Sequence, residues 1–266
     1  MTRTIRHWRA IFSIYLQEGL AYKASAFIWI MTDAVTAVVM PLMLSSATQG
    51  GAIQGFDSQG FVLYYLTNLV VSCFITCHFM WEAAYEIKEG YFSNFLLRPM
   101  GYLQFMGARN LAWRVMRSMV GLPMYLLIFL GFRSMLPDPH IYVGIEAILS
   151  IFLGHIVSFM FVMALAMISL FVTEAQSIFE LYYIPMLFLS GQMFPVQLFP
   201  HWAQVVSKWT PFYYTTGLPT EIIVGRVSQS MAWQGIGVQL IWIVFSFAAF
   251  KILWKNGLKH YTGAGM

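Results

Sequence analysis

The side chains that could take part in chemistry are few, and the closest group of them lies inside an apolar run. Cys73, Cys77 and His78 would place three soft metal ligands near one face of a helix. A structural zinc site normally has four ligands in a closed shell, and the sequence shows no fourth ligand beside these three. We therefore interpret the two cysteines as small core residues, and their position within an apolar run predicts no disulfide framework.

Acidic side chains inside the apolar runs form a second group. Asp33, Glu146 and Glu180 lie in the first, fourth and fifth of these runs. Charged residues within membrane spans usually face the bundle interior, because their exposure to lipid is costly. Asp33 or Glu180 is therefore a candidate to face a subunit interface and attract a cationic ligand. The alternative is internal pairing, with Glu180 bound to a neighbouring hydroxyl and Glu146 resting among lipid headgroups.

Other polar side chains in the apolar runs have simpler interpretations. Arg114 and Arg117 lie one helical turn apart, near the predicted start of the third run. Long cationic side chains commonly extend to the headgroup phosphates, so we predict this role for both rather than a gating role. His155 stands alone in the fourth run, and we predict that it forms a hydrogen bond between helices rather than acting in catalysis.

Composition identifies the class of protein. Apolar residues make up 59% of the chain and charged residues 10%, against roughly 45–50% and about 25% in soluble domains. Several apolar runs approach the ~20 residues with which a helix crosses the hydrocarbon core. The net charge of +4 comes from residues that flank these runs, so no nucleic-acid partner is expected. We predict one all-α polytopic membrane domain over residues 1–266, with six transmembrane helices near 24–46, 61–81, 115–132, 143–171, 176–194 and 232–253.

The distribution of Lys and Arg predicts the orientation, because positive charge is retained on the cytoplasmic side of a membrane. With the N-terminus inside, the outer segments hold Arg133, Lys208 and Arg226. Both termini are then predicted to be cytoplasmic, and so is the polar segment at residues 82–99. The cytoplasmic cations on this assignment are Arg3, Arg6, Arg9, Lys23, Lys88, Arg98, Arg109, Arg114, Arg117, Lys251, Lys255 and Lys259.

The polar segment at residues 82–99 follows the second predicted span and interrupts the apolar sequence. Apolar side chains recur along one of its faces, and acidic side chains supply the rest of its surface. Gly90 predicts two short helices joined at a turn, and Pro99 predicts the end of the second helix. The segment is either a docking site for a soluble partner or a solvated connection that packs on the membrane surface.

Residues 1–22 are predicted to form an interfacial helix. Trp8, Phe12 and Tyr15 recur at helical spacing, while Arg9 lies on another face. A helix with this pattern lies in the headgroup plane with its apolar side in the acyl boundary. The alternative is a helical start to the first span.

Residues 195–225 differ from the spans because they contain four prolines among many apolar side chains. The prolines exclude one long helix, and the apolar side chains argue against a free loop. Irregular backbone at membrane depth must be buried in protein or line a cavity. We therefore predict short re-entrant helices on the outer side, with a loop packed on the outer surface as the alternative.

These features together resemble the permease subunits of ABC-2 type transporters, the transmembrane half of ATP-driven exporters. The resemblance covers most of the chain and includes the N-terminal helix, the six spans and the polar segment between spans two and three. The residues that carry it are Glu89-Gly90 and Leu96-Leu97-Arg98-Pro99, the outer Leu189-Ser190-Gly191 with Pro195 and Phe199-Pro200, and the ending Gly257-Leu258-Lys259-His260-Tyr261.

In this family the polar segment is the coupling helix, which sits in a groove of the ATPase subunit. We therefore call residues 82–99 the coupling segment. The resemblance also implies a substrate path between two permeases. The candidate coupling residues are Glu82, Glu86, Glu89, Gly90, Tyr91, Phe92, Phe95, Leu97 and Arg98, and the candidate path residues are Asp33, Glu180, Phe194 and Phe212.

The resemblance implies an assembly of two permeases with two ABC ATPase subunits, which bind ATP and Mg. The second permease is either identical to this chain or different from it. The chain contains no Gly-Lys dipeptide, which a phosphate-binding loop requires, so the ATPase is expected to be a separate subunit. The expected cargo is a hydrophobic or amphiphilic solute, such as a cationic drug-like molecule, exported across the cytoplasmic (inner) membrane of a prokaryote.

Two other classes of function are alternatives: an intramembrane enzyme, and a membrane scaffold or sensor that transports nothing. An enzyme needs a nucleophile with a base, or paired carboxylates, within hydrogen-bond reach. Neither Gly-x-Ser-x-Gly nor His-Glu-x-x-His occurs, and the buried acids are scattered over different spans. The sequence therefore favours a transport subunit without a catalytic site or cofactor of its own.

Overall fold

The structure is a computed structural model that describes residues 3–21, 23–48, 51–172 and 174–262. This part of the chain is built from α-helices and shorter helical turns, the latter at Arg133–Met135, Met167–Leu170, Val196–Leu198 and Tyr213–Gly217. The α-helices are α1 (Arg3–Ala21), α2 (Lys23–Ala47), α3 (Ser58–Ile75), α4 (Met80–Lys88), α5 (Phe92–Leu96), α6 (Tyr102–Gly131), α7 (Ile145–Ala166), α8 (Ala175–Leu189), α9 (His201–Trp209), α10 (Leu218–Ile223) and α11 (Gln229–Gly257).

The predicted multi-pass helical class is confirmed. Predicted spans one, two, three, four and six each correspond to a long apolar helical stretch. Predicted span five corresponds to α8, which has 15 residues and is shorter than the ~20 that a helix needs to cross the hydrocarbon core. Within the described residues, the stretches long and apolar enough to cross a membrane are Phe27–Ala47, Ser58–Lys88, Tyr102–Gly131, Ile145–Leu170 and Gln229–Gly257.

The predicted start of span three is wrong, because α6 begins at Tyr102 and not near residue 115. The prediction that Arg114 and Arg117 extend to lipid headgroups is also wrong, since their exposed fractions are 7% and 6%. Arg114 donates to the carbonyl oxygen of Cys73 at 2.9 Å, and Arg117 pairs with Asp33. A buried guanidinium is stable only with such protein partners, and these partners are distant in sequence.

Contacts between distant parts of the chain define two ends of the bundle. At one end the last turn of α11 packs closely on the helical turn Met167–Leu170 that follows α7, where Gly257 faces Leu170. Phe92 of α5 also contacts α11 at this end. At the other end, the side chain of Gln229 at the start of α11 donates to Glu146 at 2.6 Å. The coupling segment therefore lies at the same end of the bundle as the C-terminal turn of α11.

The N-terminal helix packs along α6. The rings of Tyr15 and Phe105 are 5.7 Å apart, and the indole of Trp8 lies beside Gly107. A helix is present there, and it packs against α6. Part of the apolar stripe that was expected to enter the acyl boundary therefore faces protein.

The segment 195–225 is a series of short helices and turns, so the prediction that no single long helix forms there is confirmed. Its second half is inserted among α3, α7 and α11. Asn68 donates to the hydroxyl of Thr220 at 3.1 Å, and Gln239 donates to the carbonyl oxygen of Tyr214 at 2.8 Å. Side chains from the spans thus supply the hydrogen bonds that irregular backbone and its buried hydroxyls require.

The close approach of α11 to the helical turn Met167–Leu170 makes a prediction for Gly257. A Cβ added there would lie 2.7 Å from Leu170 Cβ, so one of the two segments must shift. We expect Gly257→Ala to destabilise the protein by about 1–3 kcal/mol, as overpacking does. The measurement is thermal unfolding of the purified protein in detergent.

Gly237→Ala is the matched control on the same helix. A Cβ at Gly237 would meet no atom within 4 Å among the described residues, so stability should stay constant or rise by up to about 1 kcal/mol through helix propensity. Equal destabilisation by both substitutions would contradict the close helix contact.

Candidate functional site

The cysteine and histidine side chains of the spans belong to the core, as predicted. Cys73 and Cys77 are buried and free, and Asn110 donates to the sulfur of Cys77 at 3.5 Å. The ring nitrogen Nδ1 of His155 lies 3.3 Å from the carbonyl oxygen of Ile75, which confirms the predicted hydrogen bond between helices. These groups connect α3, α6 and α7.

The coupling segment consists of two short helices joined at Gly90, as predicted. Helix α4 ends at Lys88 and α5 begins at Phe92. Gly90 between them has a φ of +78°, a left-handed conformation that glycine adopts without steric cost. The chain therefore turns at Gly90 because that position alone in the turn carries no side chain.

Arg109 of α6 fastens α4 to the bundle. Its guanidinium nitrogens lie 2.6 Å from Glu86 and 3.3 Å from Glu82, and the group also lies 5.0 Å from the ring centroid of Tyr15. Burial raises the pKa of Tyr15, an effect that Arg109 opposes, so the neutral ring remains a partner for the cation. The sequence predicted Glu82 and Glu86 as partner contacts, but the structure directs both toward Arg109.

Helix α5 is anchored by an aromatic cluster. Phe92 is fully buried, with its ring 5.2 Å from Tyr102, 5.8 Å from Trp254 and 5.1 Å from Tyr261. The hydroxyls of Ser93 and Tyr261 are 2.9 Å apart. Sequence reasoning did not assign Trp254 or Tyr261 to this site, although aromatic residues at the end of α11 were a visible signal.

The opposite side of the coupling segment is exposed. Leu97 is 85% exposed, and Tyr91, Glu89 and Arg98 are also exposed. Large apolar side chains grouped with charged ones on a surface are typical of a protein contact. A cavity of about 590 Å³ lies beside them, lined by Trp81, Glu82, Tyr85, Glu86, Tyr91, Asn94, Phe95, Arg98 and Arg109.

A second cavity, of about 250 Å³, lies among α2, α3, α6 and α8, and we call it the central cavity. Asp33 lies on its wall, with its side chain 35% exposed and paired with Arg117. The cation preference expected from Asp33 assumed an unpaired carboxylate, and Arg117 offsets that charge. The polar residues of the lining, besides this pair, are Thr32, Thr36, Tyr65, Asn68, Ser72, Thr76, His78, Tyr183 and Gln192.

The other candidate path residues lie outside the lining of the central cavity. Glu180 is exposed on α8. Phe194 packs against Phe199, with ring centroids 6.3 Å apart, next in sequence to the lining residue Met193. Phe212 contacts Phe161 and Tyr182 in the core, so the structure does not bring the four candidates together.

Two further carboxylates are buried at the opposite end of the bundle. Glu146 is 2% exposed and accepts hydrogen bonds from Tyr142 and Gln229 at 2.9 and 2.6 Å, so it rests in a protein cluster rather than among headgroups. Glu221, which sequence reasoning did not single out, accepts from the Tyr213 hydroxyl at 2.7 Å. Burial raises the pKa of Glu221.

The contacts of Arg109 make a testable prediction for stability. Arg109→Gln leaves Glu82 and Glu86 without their cation, and we expect a loss of about 1–2 kcal/mol because the pair is partly shielded from water. Hydrogen exchange should rise in α4 more than elsewhere. Arg98→Gln is the control, since Arg98 is an exposed cation over Phe95 and its loss should cost less than about 1 kcal/mol. Similar losses for both variants would argue against Arg109 as the anchor.

Comparison with known proteins identifies the family. A family model described as an ABC-2 family transporter protein matches residues 28–265, which include the coupling segment, the central cavity and the segment 195–225. No curated protein matched the chain, and no solved structure matched it. The match extends over far more than half of the chain and agrees with the helical, multi-pass structure. The chain belongs to the ABC-2 family of membrane transporter proteins.

Proposed function

We propose that this chain is the permease subunit of an ATP-driven exporter and forms, with a second permease, the path of a hydrophobic or amphiphilic solute. The observation that carries the proposal is the exposed apolar and charged surface of the coupling segment, set on two anchored short helices. A permease whose sequence lacks the Gly-Lys dipeptide of a phosphate-binding loop needs such a surface to couple to the ATP hydrolysis of a partner. The proposed location is the cytoplasmic membrane of a prokaryote, with the coupling segment and both termini on the inner side.

The nine candidate coupling residues fall into three proposed roles. Glu89, Tyr91, Leu97 and Arg98 are exposed and would contact the groove of the ATPase, while Gly90 shapes the turn between the two helices. The other members are proposed to hold the segment in place through α6 and α11, and they are Glu82, Glu86, Phe92 and Phe95.

ATP and Mg would be bound by two ATPase subunits, and their closure would push on the coupling segment. The push would reach the central cavity through α4. The ring of Trp81 borders the cavity beside the coupling segment. Its centroid lies 6.2 Å from that of His78 and 5.6 Å from that of Tyr183. Both of these residues line the central cavity, so a shift of α4 would change the shape of that cavity. Helices α2, α3 and α8, which correspond to predicted spans one, two and five, would rotate at the same time.

The second permease is proposed to cover the face formed by α2 and α8. Val35 and Val39 of α2 are exposed there, and so are Leu181 and Ile184 of α8. The central cavity lies between these two helices. A second permease on this face would place its own central cavity opposite this one, and the two cavities would enclose a path. Glu180 would lie on the surface shared by the two permeases, and Phe194 and Phe212 would lie farther along the path.

We also propose that α8 completes a sixth crossing, and that segment 195–225 re-enters the outer leaflet. Ala175 belongs to the core cluster that contains Phe92, at the end of the bundle with the coupling segment. Beyond the other end of α8, the carbonyl oxygen of Gly191 accepts from Tyr64, 2.9 Å away near the start of α3. Helix α8 thus reaches from one end toward the other, and helix α9 exposes the indole of Trp202, a side chain suited to the interface.

The coupling surface is tested with Leu97→Asp. Because Leu97 is exposed, the charge should leave the fold intact and disrupt an apolar contact with the ATPase. We expect the Mg-dependent ATPase activity that co-purifies with the tagged chain to fall at least about tenfold. Glu89→Lys should act in the same direction, and it is a cleaner test than Glu86→Lys, which would also break the pair with Arg109.

Val143→Asp is the matched control, because Val143 is also exposed and lies at the opposite end of the bundle. It should leave the co-purified activity unchanged. The coupling assignment fails if Leu97→Asp and Val143→Asp retain equal activity, or if the unaltered chain brings down no ATPase.

The sixth crossing is tested by labelling with a membrane-impermeant maleimide. Both native cysteines are buried, so the unaltered chain should remain unlabelled. We expect Glu174→Cys to be labelled in inverted vesicles and Trp202→Cys in right-side-out vesicles. Labelling of both from one side would show that α8 does not cross.

A further inference from the structure

The charge balance of the central cavity constrains what can bind in it. Asp33 supplies the carboxylate of its lining and Arg117 the guanidinium, and the two groups pair with each other. Arg117 is buried in α6, while the side chain of Asp33 is 35% exposed at the wall. The two charges offset one another, so a ligand meets an ion pair rather than a free charge.

A ligand with net charge would have to break this pair. A cation that took the carboxylate of Asp33 would leave Arg117 buried without its partner, and an anion that took Arg117 would leave Asp33 without its own. Removing one partner of a buried ion pair is strongly unfavourable, because the remaining charge has lost both water and its counterion. A ligand group without net charge leaves the pair intact.

The rest of the lining can hydrogen-bond such a group through the hydroxyls and amides of Thr32, Thr36, Asn68 and Gln192. Three further polar atoms of lining residues lie beneath the cavity surface and have no hydrogen-bond partner among the described residues: the Thr76 hydroxyl, Nδ1 of His78 and Nε of Arg117. Thr76 and Arg117 are more than nine-tenths buried. The guanidinium nitrogen only donates, whereas the hydroxyl both donates and accepts. A ligand that carries hydroxyls matches this mixture, because each hydroxyl can likewise donate and accept.

The size of the cavity agrees with a head group rather than a single water. Its volume is about 250 Å³, whereas a water molecule occupies ~30 Å³ in the liquid. Apolar side chains are also exposed on α2 and α8, among them Val39 and Ile184, and they would accommodate a hydrocarbon chain attached to the head group.

We propose that the central cavity binds an uncharged, hydroxyl-bearing head group of an amphiphilic solute, and that the Asp33–Arg117 pair excludes head groups with net charge. The proposal rests on the proposed function only where it treats this amphiphile as the transported molecule. It replaces the cation preference that Asp33 suggested on its own.

The test is photo-crosslinking of the full chain in lipid nanodiscs, without ATP or an ATPase. The probe is an octyl glucoside with a diazirine in the chain, compared with probes of the same chain that bear a trimethylammonium, a sulfate or a phosphocholine group. The first two of these groups carry net charge, whereas phosphocholine has none and tests the requirement for hydroxyls. Mass spectrometry locates the labelled peptides. We expect the glucoside to label the lining segments of α2, α3 and α8 at concentrations at least about tenfold lower than the other three probes, a difference of about 1.4 kcal/mol. Equal or stronger labelling by any of those probes would overturn the proposal.

Substitutions in the Asp33–Arg117 pair should change which head group the cavity prefers. Asp33→Asn should move the preference at least about tenfold toward the sulfate probe, and Arg117→Gln should move it equally toward the trimethylammonium probe. The double variant Asp33→Asn with Arg117→Gln should regain the preference for the glucoside. If Arg117→Gln does not fold, Asp33→Asn alone decides the question, since the half-exposed Asp33 is the milder change.

Asp138→Asn is the matched control, because it removes an exposed carboxylate that lies outside the cavity lining and the proposed path. It should leave the order of the four probes unchanged. An unchanged order in Asp33→Asn would show that the ion pair does not set the selectivity. Because crosslinking needs no ATPase, this outcome is separate from a failure of the coupling surface to bind one.

Discussion

The buried cations of α6 are the feature on which the arrangement of the other helices depends. A guanidinium inside a membrane protein is stable only where protein groups replace its water. Arg109 meets this requirement with two carboxylates of α4, Arg114 with a carbonyl oxygen of α3, and Arg117 with Asp33 of α2. Each pairing holds a different helix against α6. Together they place the coupling segment at one end of the bundle and the central cavity farther along it.

This arrangement gives α4 a position between the two candidate sites. Its first turn carries Trp81, which borders the cavity of the coupling segment and contacts His78 and Tyr183 in the wall of the central cavity. Its last turn leads through Gly90 into α5. Packed helices shift as units rather than deform continuously. A movement of α5 would therefore displace α4 and, with it, the wall of the central cavity.

Features that depend on neighbouring residues were predictable from the sequence. The helical membrane class, the turn at Gly90 and the broken helices of segment 195–225 follow from composition and from glycine and proline, which act locally on the backbone. Roles that depend on partners were harder to predict. Glu86 and Phe92 had the same pattern as exposed contact residues, but Arg109 and the aromatic end of α11 bury them.

By itself, the sequence determined that the chain is a helical membrane protein whose apolar spans are interrupted by a polar segment, because hydropathy and helix breakers are local properties. Only the tertiary structure decided which charges remain available for a ligand. Asp33 and Arg117 stand 84 residues apart, and no local pattern indicates that they meet. Because they pair, the carboxylate and the guanidinium add no net charge to the wall of the central cavity, since a buried charge is tolerated only beside its counterion.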